Sequence, residues 1–128
     1  MIAADILKQD AEVLASSTGL HVEVIDAEGR LYVRIADYAL PSIWAVSATP
    51  LLILADHQYP HSALDMFWTD QAVVLADGSV SPSTEPIETY LGQPWRRFSW
   101  HGSASGGPAA NPLLAHFAMI EDRLARGR

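Results

Sequence analysis

The chain contains no cysteine. Disulfides, thiolate metal sites and thiol nucleophiles are therefore excluded, and any covalent chemistry must run through oxygen, nitrogen or carboxylate groups. Basic residues are scarce too: 8 Lys and Arg stand against 15 Asp and Glu in 128 residues, a formal net charge of −7. A chain of that sign lacks the cationic face that phosphate backbones require, so no nucleic-acid partner is expected. No apolar run approaches the roughly 20 residues of a membrane-spanning helix. The N-terminus has neither the basic nor the long apolar stretch of an export signal. Together these absences lead us to expect a cytoplasmic protein with no membrane partner.

The composition that remains, 49 % apolar and 18 % charged, suits one folded domain over 1–128. Charge is uneven along it. Residues 1–95 carry three basic and 13 acidic groups, a balance of −10, whereas 96–128 carry five and two, a balance of +3. Three of the late cations, Arg123, Arg126 and Arg128, stand where they would complement the C-terminus of a helix.

The first 18 residues read as a helix, with Ile2, Ile6, Leu7, Ala11, Val13 and Leu14 in one apolar stripe and Gly19 as its left-handed end. The period then changes to two. Leu20, Val22 and Val24 alternate with polar residues, a turn at 27–30 follows, and Leu31, Val33 and Ile35 alternate again, which predicts a hairpin. The run Leu51-Leu52-Ile53-Leu54-Ala55 predicts a buried strand, and Met66-Phe67-Trp68 a fourth. From Ala76 to Pro94 the chain is rich in Gly, Ser, Thr, Pro and acids and reads as a long loop, its hydroxyls at Ser79, Ser81, Ser83 and Thr84 solvated. Asn111-Pro112 opens a final helix burying Leu113, Phe117, Ile120 and Leu124. Helix, four-stranded antiparallel meander, long loop and helix make an α+β fold.

Several words along this frame carry a resemblance: Leu51-Leu52-Ile53-Leu54 followed by Tyr59-Pro60, then Asp65-Met66-Phe67-Trp68, then Trp95-Arg96-Arg97-Phe98-Ser99-Trp100-His101 before the closing helix. In that order they resemble the ubiquitin-conjugating (UBC) fold, in particular the prokaryotic conjugating-enzyme-like family E, from about Leu20 onward. The resemblance implies that the long loop borders an active site. It also implies two partners, a ubiquitin-like protein and the adenylating enzyme that activates it, with no metal or organic cofactor. The chain departs from the family pattern in lacking the cysteine that holds the modifier as a thioester and the His-Pro-Asn element before it.

Ser99 falls where the resemblance places the missing thiol. Ser99 and His101 are two residues apart, so an extended backbone would put both on one face, their Cα atoms roughly 6–7 Å apart. A serine hydroxyl needs a base within reach, and histidine is suited to that task. Arg96 and Arg97 are candidates for steering an acidic partner or stabilising an oxyanion, and Trp95 and Trp100 for meeting a partner. The expectation is a noncanonical conjugating enzyme of a bacterial modification pathway that accepts the modifier as an oxyester on Ser99, assisted by His101. The alternative is an inactive UBC-like adaptor that binds the modifier or the activating enzyme. A small serine hydrolase is a third reading, without the Gly-x-Ser-x-Gly elbow that would support it. His57 and His61 have zinc-ligand spacing, but Pro60 between them disfavours a shared helical face.

Overall fold

A computed structural model describes residues 2–100 and 111–128. Helix α1 (Ala3–Thr18) is followed by strands β1 (Val22–Ala27), β2 (Arg30–Ala39), β3 (Ala48–Ala55), β4 (Phe67–Asp70), β5 (Ile87–Tyr90) and β6 (Gln93–Phe98), and helix α2 (Pro112–Arg126). Every strand pairing is antiparallel, in the order β1-β2-β3-β4-β6-β5. The α+β class and the two flanking helices agree with the sequence, but the sheet has six strands where four were expected. The extra two form a hairpin: β5 and the turn lie inside the stretch 76–94 read as loop, while β6 starts at its end and runs on through Phe98, pairing with β4, Phe67 opposite Phe98 and Asp70 opposite Trp95.

The hairpin turns explain what was visible. At β1–β2 the turn residues Glu28 and Gly29 have φ of 57° and 76°, and at β5–β6 Leu91 and Gly92 have 53° and 73°. Positive φ at both central residues matches the right-handed twist of the flanking strands. Leucine rarely takes that conformation, so Leu91-Gly92 lacks the usual turn signature.

Both helices lie on one face of the sheet. Leu7, Ala11 and Leu14 of α1 and Leu113, Phe117, Ile120 and Leu124 of α2 bury against Leu31, Val33, Ile35, Leu51, Ile53, Phe67 and Phe98. The α2 stripe is the one expected. In α1, Ile2 and Val13 depart from their expected burial, at 66 % and 48 % exposed, because the face that meets the sheet runs through Ala3, Ala4, Leu7, Ala11 and Leu14. Gly19 ends α1 in the left-handed region, its N–H on the Ala15 carbonyl at 2.8 Å. At the start of α2, Asn111 Oδ1 accepts the Leu114 N–H at 2.9 Å and Pro112 takes the first helical position.

Tyr59 fastens the helices to each other. Its hydroxyl donates to Asp10 of α1 at 2.5 Å and accepts the Leu113 N–H of α2 at 3.3 Å, one of the amides that a helix start leaves without an intrahelical partner. Burial and the Asp10 carboxylate push this phenol well above its usual range. His116 is buried on the same helix, its Nε2 2.7 Å from the Met66 carbonyl at the entry to β4, and burial holds its pKa below the ordinary histidine value.

The opposite face of the sheet is a second, smaller cluster of Tyr32, Leu52, Trp68 and Trp95, flanked by Tyr90 and Met66. Its large side chains carry polar handles, and each handle finds a partner: Tyr32 Oη donates to Glu28, Trp68 Nε1 to Glu88 and Trp95 Nε1 to the Tyr90 carbonyl.

Candidate functional site

Strand β6 delivers Ser99. Side chains alternate along it, so Phe98 enters the helix-side core while Trp95 and Arg97 turn to the aromatic face. The strand ends in a tight turn in which the Trp100 N–H bonds the Phe98 carbonyl at 2.8 Å, leaving Ser99 at its centre. Ser99 is half-buried, and its Oγ accepts a hydrogen bond from Arg97 Nε at 3.1 Å. Arg97 Nη1 pairs with Glu88 Oε2 at 3.1 Å. Glu88 is held in turn by Trp68 Nε1 at 2.8 Å and by the Tyr90 hydroxyl at 3.3 Å. The carboxylate of β5 therefore orients the guanidinium of β6, and the guanidinium sits on the serine oxygen. A hydroxyl oxygen has two lone pairs; with one taken by Arg97, the second is available for attack, and the nearby cation favours any negative charge that develops there.

The backbone under Ser99 is also specified. Its N–H donates to the Ser83 carbonyl at 2.9 Å, and Ser83 has a φ of 64°, a left-handed conformation that a residue with a Cβ adopts only when its surroundings hold it there. Ser81 and Thr84 are fully buried, a correction to the solvated loop expected of these hydroxyls. Thr84 Oγ1 donates to the Ser81 carbonyl at 2.8 Å, and Ser81 Oγ donates to the Gly127 carbonyl at 2.5 Å, which joins this turn to the end of α2.

The four residues expected to meet a partner separate into two pairs. Trp95 is 1 % exposed and Arg96 is 9 % exposed, with Arg96 donating through Nε to the Gln71 carbonyl and through Nη1 to the Thr84 carbonyl. Both hold the fold from inside. Arg97 and Trp100 are half-buried and keep accessible surface. The Trp100 ring lies beneath two guanidiniums, with Arg126 4.8 Å and Arg123 5.7 Å from its centre. His101 lies outside the described residues. The backbone expected to run extended from Ser99 to His101 therefore ends outside them too.

Several contributors were not found in the sequence: Glu88, Trp68 as its donor, and the 81–84 turn. The alternation of Ile87-Glu88-Thr89-Tyr90 was the one available signal for the first. No group of three or more His, Cys, Asp or Glu among the described residues is arranged to hold a metal ion; His57 is exposed and pairs with Asp26 at 3.3 Å. Among those residues no helix is long and apolar enough to cross a membrane.

The sequence model of the family described as Prokaryotic E2 family E matches residues 6–127. The chain belongs to prokaryotic E2 family E. Neither the curated proteins nor the solved structures contain a significant match to it. Within family E it is a cysteine-lacking, UBC-like protein, so the thioester chemistry of conjugating enzymes has no thiol to use here. Helices on one side of an antiparallel sheet, with the Ser99 turn between β6 and α2, are consistent with a UBC-like architecture.

Proposed function

We propose that this family E protein is a conjugating enzyme that accepts the C-terminal acyl group of a ubiquitin-like protein as an oxyester on Ser99. One observation carries the reading: in a chain without any thiol, Ser99 holds its hydroxyl against the Arg97 guanidinium, which Glu88 and Trp68 fix in place.

In this reading an adenylating enzyme presents the modifier as an activated acyl group. Ser99 Oγ attacks the carbonyl carbon, a C–O bond forms, and the bond to the adenylate or other leaving group breaks. The hydroxyl proton passes to a base, the role assigned to His101. Arg97 offsets the negative charge that builds on the oxygens during the attack. An acceptor nucleophile then takes the acyl group and returns the oxygen to Ser99. Oxyesters are less reactive than thioesters toward amines, so the charge stabilisation supplied by Arg97 matters more here than in a thiol enzyme.

The test is intact-mass analysis after incubation with the modifier, its adenylating enzyme and ATP. The expected result is a mass increase of one modifier on the parent chain, absent in Ser99→Ala and strongly reduced in Arg97→Ala. An undiminished adduct on Ser99→Ala would discard the assignment. Saturable binding of the modifier with no mass increase on the parent would instead identify an adaptor.

A further inference from the structure

Arg123 of α2 is 2 % exposed, and no carboxylate pairs with it among the described residues. Its Nη2 donates to Ser81 Oγ at 2.9 Å and to the Pro82 carbonyl at 3.0 Å, while its Nη1 is buried with no hydrogen-bond partner among the described residues. The guanidinium lies 5.2 Å from the centre of the Phe98 ring and 5.7 Å from that of Trp100. Burial and the neighbouring Arg126 both disfavour its charged form. A buried cation with an unused donor is destabilising, and an apolar side chain of similar length would fill the space at lower free energy. What an apolar residue cannot supply is the pair of hydrogen bonds to Ser81 and Pro82.

Those bonds complete a set. Along the turn, the Ser81 carbonyl accepts from Thr84 Oγ1, the Pro82 carbonyl from Arg123 Nη2, the Ser83 carbonyl from the Ser99 N–H, and the Thr84 carbonyl from Arg96 Nη1. Two buried arginines from different elements thus hold the turn on either side of the one carbonyl that fixes Ser99. We propose that Arg123 is a positioning residue for Ser99: acting through the 81–84 turn, it sets where the end of β6 stands and so keeps the Ser99 oxygen on Arg97. This inference rests on the reading of Ser99 as the acyl acceptor.

The absence of cysteine supplies a clean probe. In Ser99→Cys the full-length chain has a single thiol, and the pH dependence of its alkylation by iodoacetamide reports the environment of that position alone. The expected midpoint in Ser99→Cys lies about one unit below the ordinary thiol value, since a cation beside a thiol favours the thiolate. Adding Arg123→Met is expected to return the midpoint toward the ordinary value and slow alkylation at neutral pH by about 3-fold or more. Arg123→Lys should restore part of the shift, and Ser81→Ala, which removes one hydroxyl and leaves the guanidinium in place, should move it in the same direction as Arg123→Met. If Arg123→Met and Ser81→Ala both lower the melting temperature but leave the midpoint unchanged, Arg123 is a packing element and the inference is overturned. An ordinary midpoint already in Ser99→Cys would overturn the Arg97–Ser99 site itself.

Discussion

The two faces of the sheet are built on different terms. On the helix side, Leu31, Val33, Ile35, Leu51, Ile53, Phe67 and Phe98 meet α1 and α2 through apolar contact, and Phe67 and Phe98 stack at 4.7 Å between ring centres. On the other side the rings of Tyr32, Trp68 and Trp95 each end in a donor with a named acceptor. Volume and area govern the first face. On the second, each ring also orients a polar group, and the Trp68–Glu88–Arg97 chain leads to Ser99. In the proposed mechanism stability and chemistry divide between the faces of one sheet, with β6 supplying Phe98 to one and Arg97 to the other.

Substitutions on the two faces should separate those roles. Phe98→Ala removes a fully buried ring from the helix side and is expected to destabilise the chain by about 3–5 kcal/mol in urea unfolding. Trp68→Phe keeps most of the ring and removes only the donor to Glu88, so about 1–2 kcal/mol is expected, with a disproportionate loss of modifier adduct as Glu88 loosens its hold on Arg97. If Trp68→Phe cost as much stability as Phe98→Ala and left adduct formation intact, the division between faces would fail.

A third comparison uses pH. The folded protein holds His116 neutral by burial, so its folded pKa lies below its unfolded value. Below the ordinary histidine pKa the unfolded chain takes up a proton that the folded chain refuses. Stability is therefore lost as pH falls from that value toward the depressed one, and the loss levels off below it. Melting temperatures between pH 7.5 and 5 should fall more steeply for the parent than for His116→Gln, whose amide can still donate to the Met66 carbonyl. Parallel curves would show that the helix-side core does not hold this histidine as described. The smallest expected stability effect belongs to Ser99→Ala, within about 0.5 kcal/mol of the parent, because a half-buried hydroxyl that loses one neighbour leaves Arg97 still paired with Glu88.

The same division explains what the sequence disclosed. Helices and helix-side strands follow the 3.6 and 2.0 periods of apolar burial, so α1, β1, β2, β3 and α2 were legible, as were Gly19, Asn111 and Pro112 at helix ends. The hairpin of β5 and β6 escaped because its turn is Leu91-Gly92 rather than a typical turn pair, and because Pro94 and the acids around it resemble loop composition. Arg96, expected to steer a partner or stabilise an oxyanion, and Arg123, which does stand in the last turn of α2 as expected, are both interior, since arginine on backbone carbonyls leaves no periodic signal. Ser99 stood out through a resemblance and a word of local sequence. The Glu88–Arg97 pair that holds it depends on a strand register that only the folded sheet defines.

The central claim is that the modifier is carried on the oxygen of Ser99, and exchanging that oxygen for sulfur tests it most directly. The adduct on the parent chain should survive excess added thiol at neutral pH and be released by mild alkali, whereas the thioester on Ser99→Cys should be released by added thiol, which takes the acyl group and frees the cysteine. A Ser99→Cys adduct that still resists excess added thiol would place the modifier on a different residue and contradict the account.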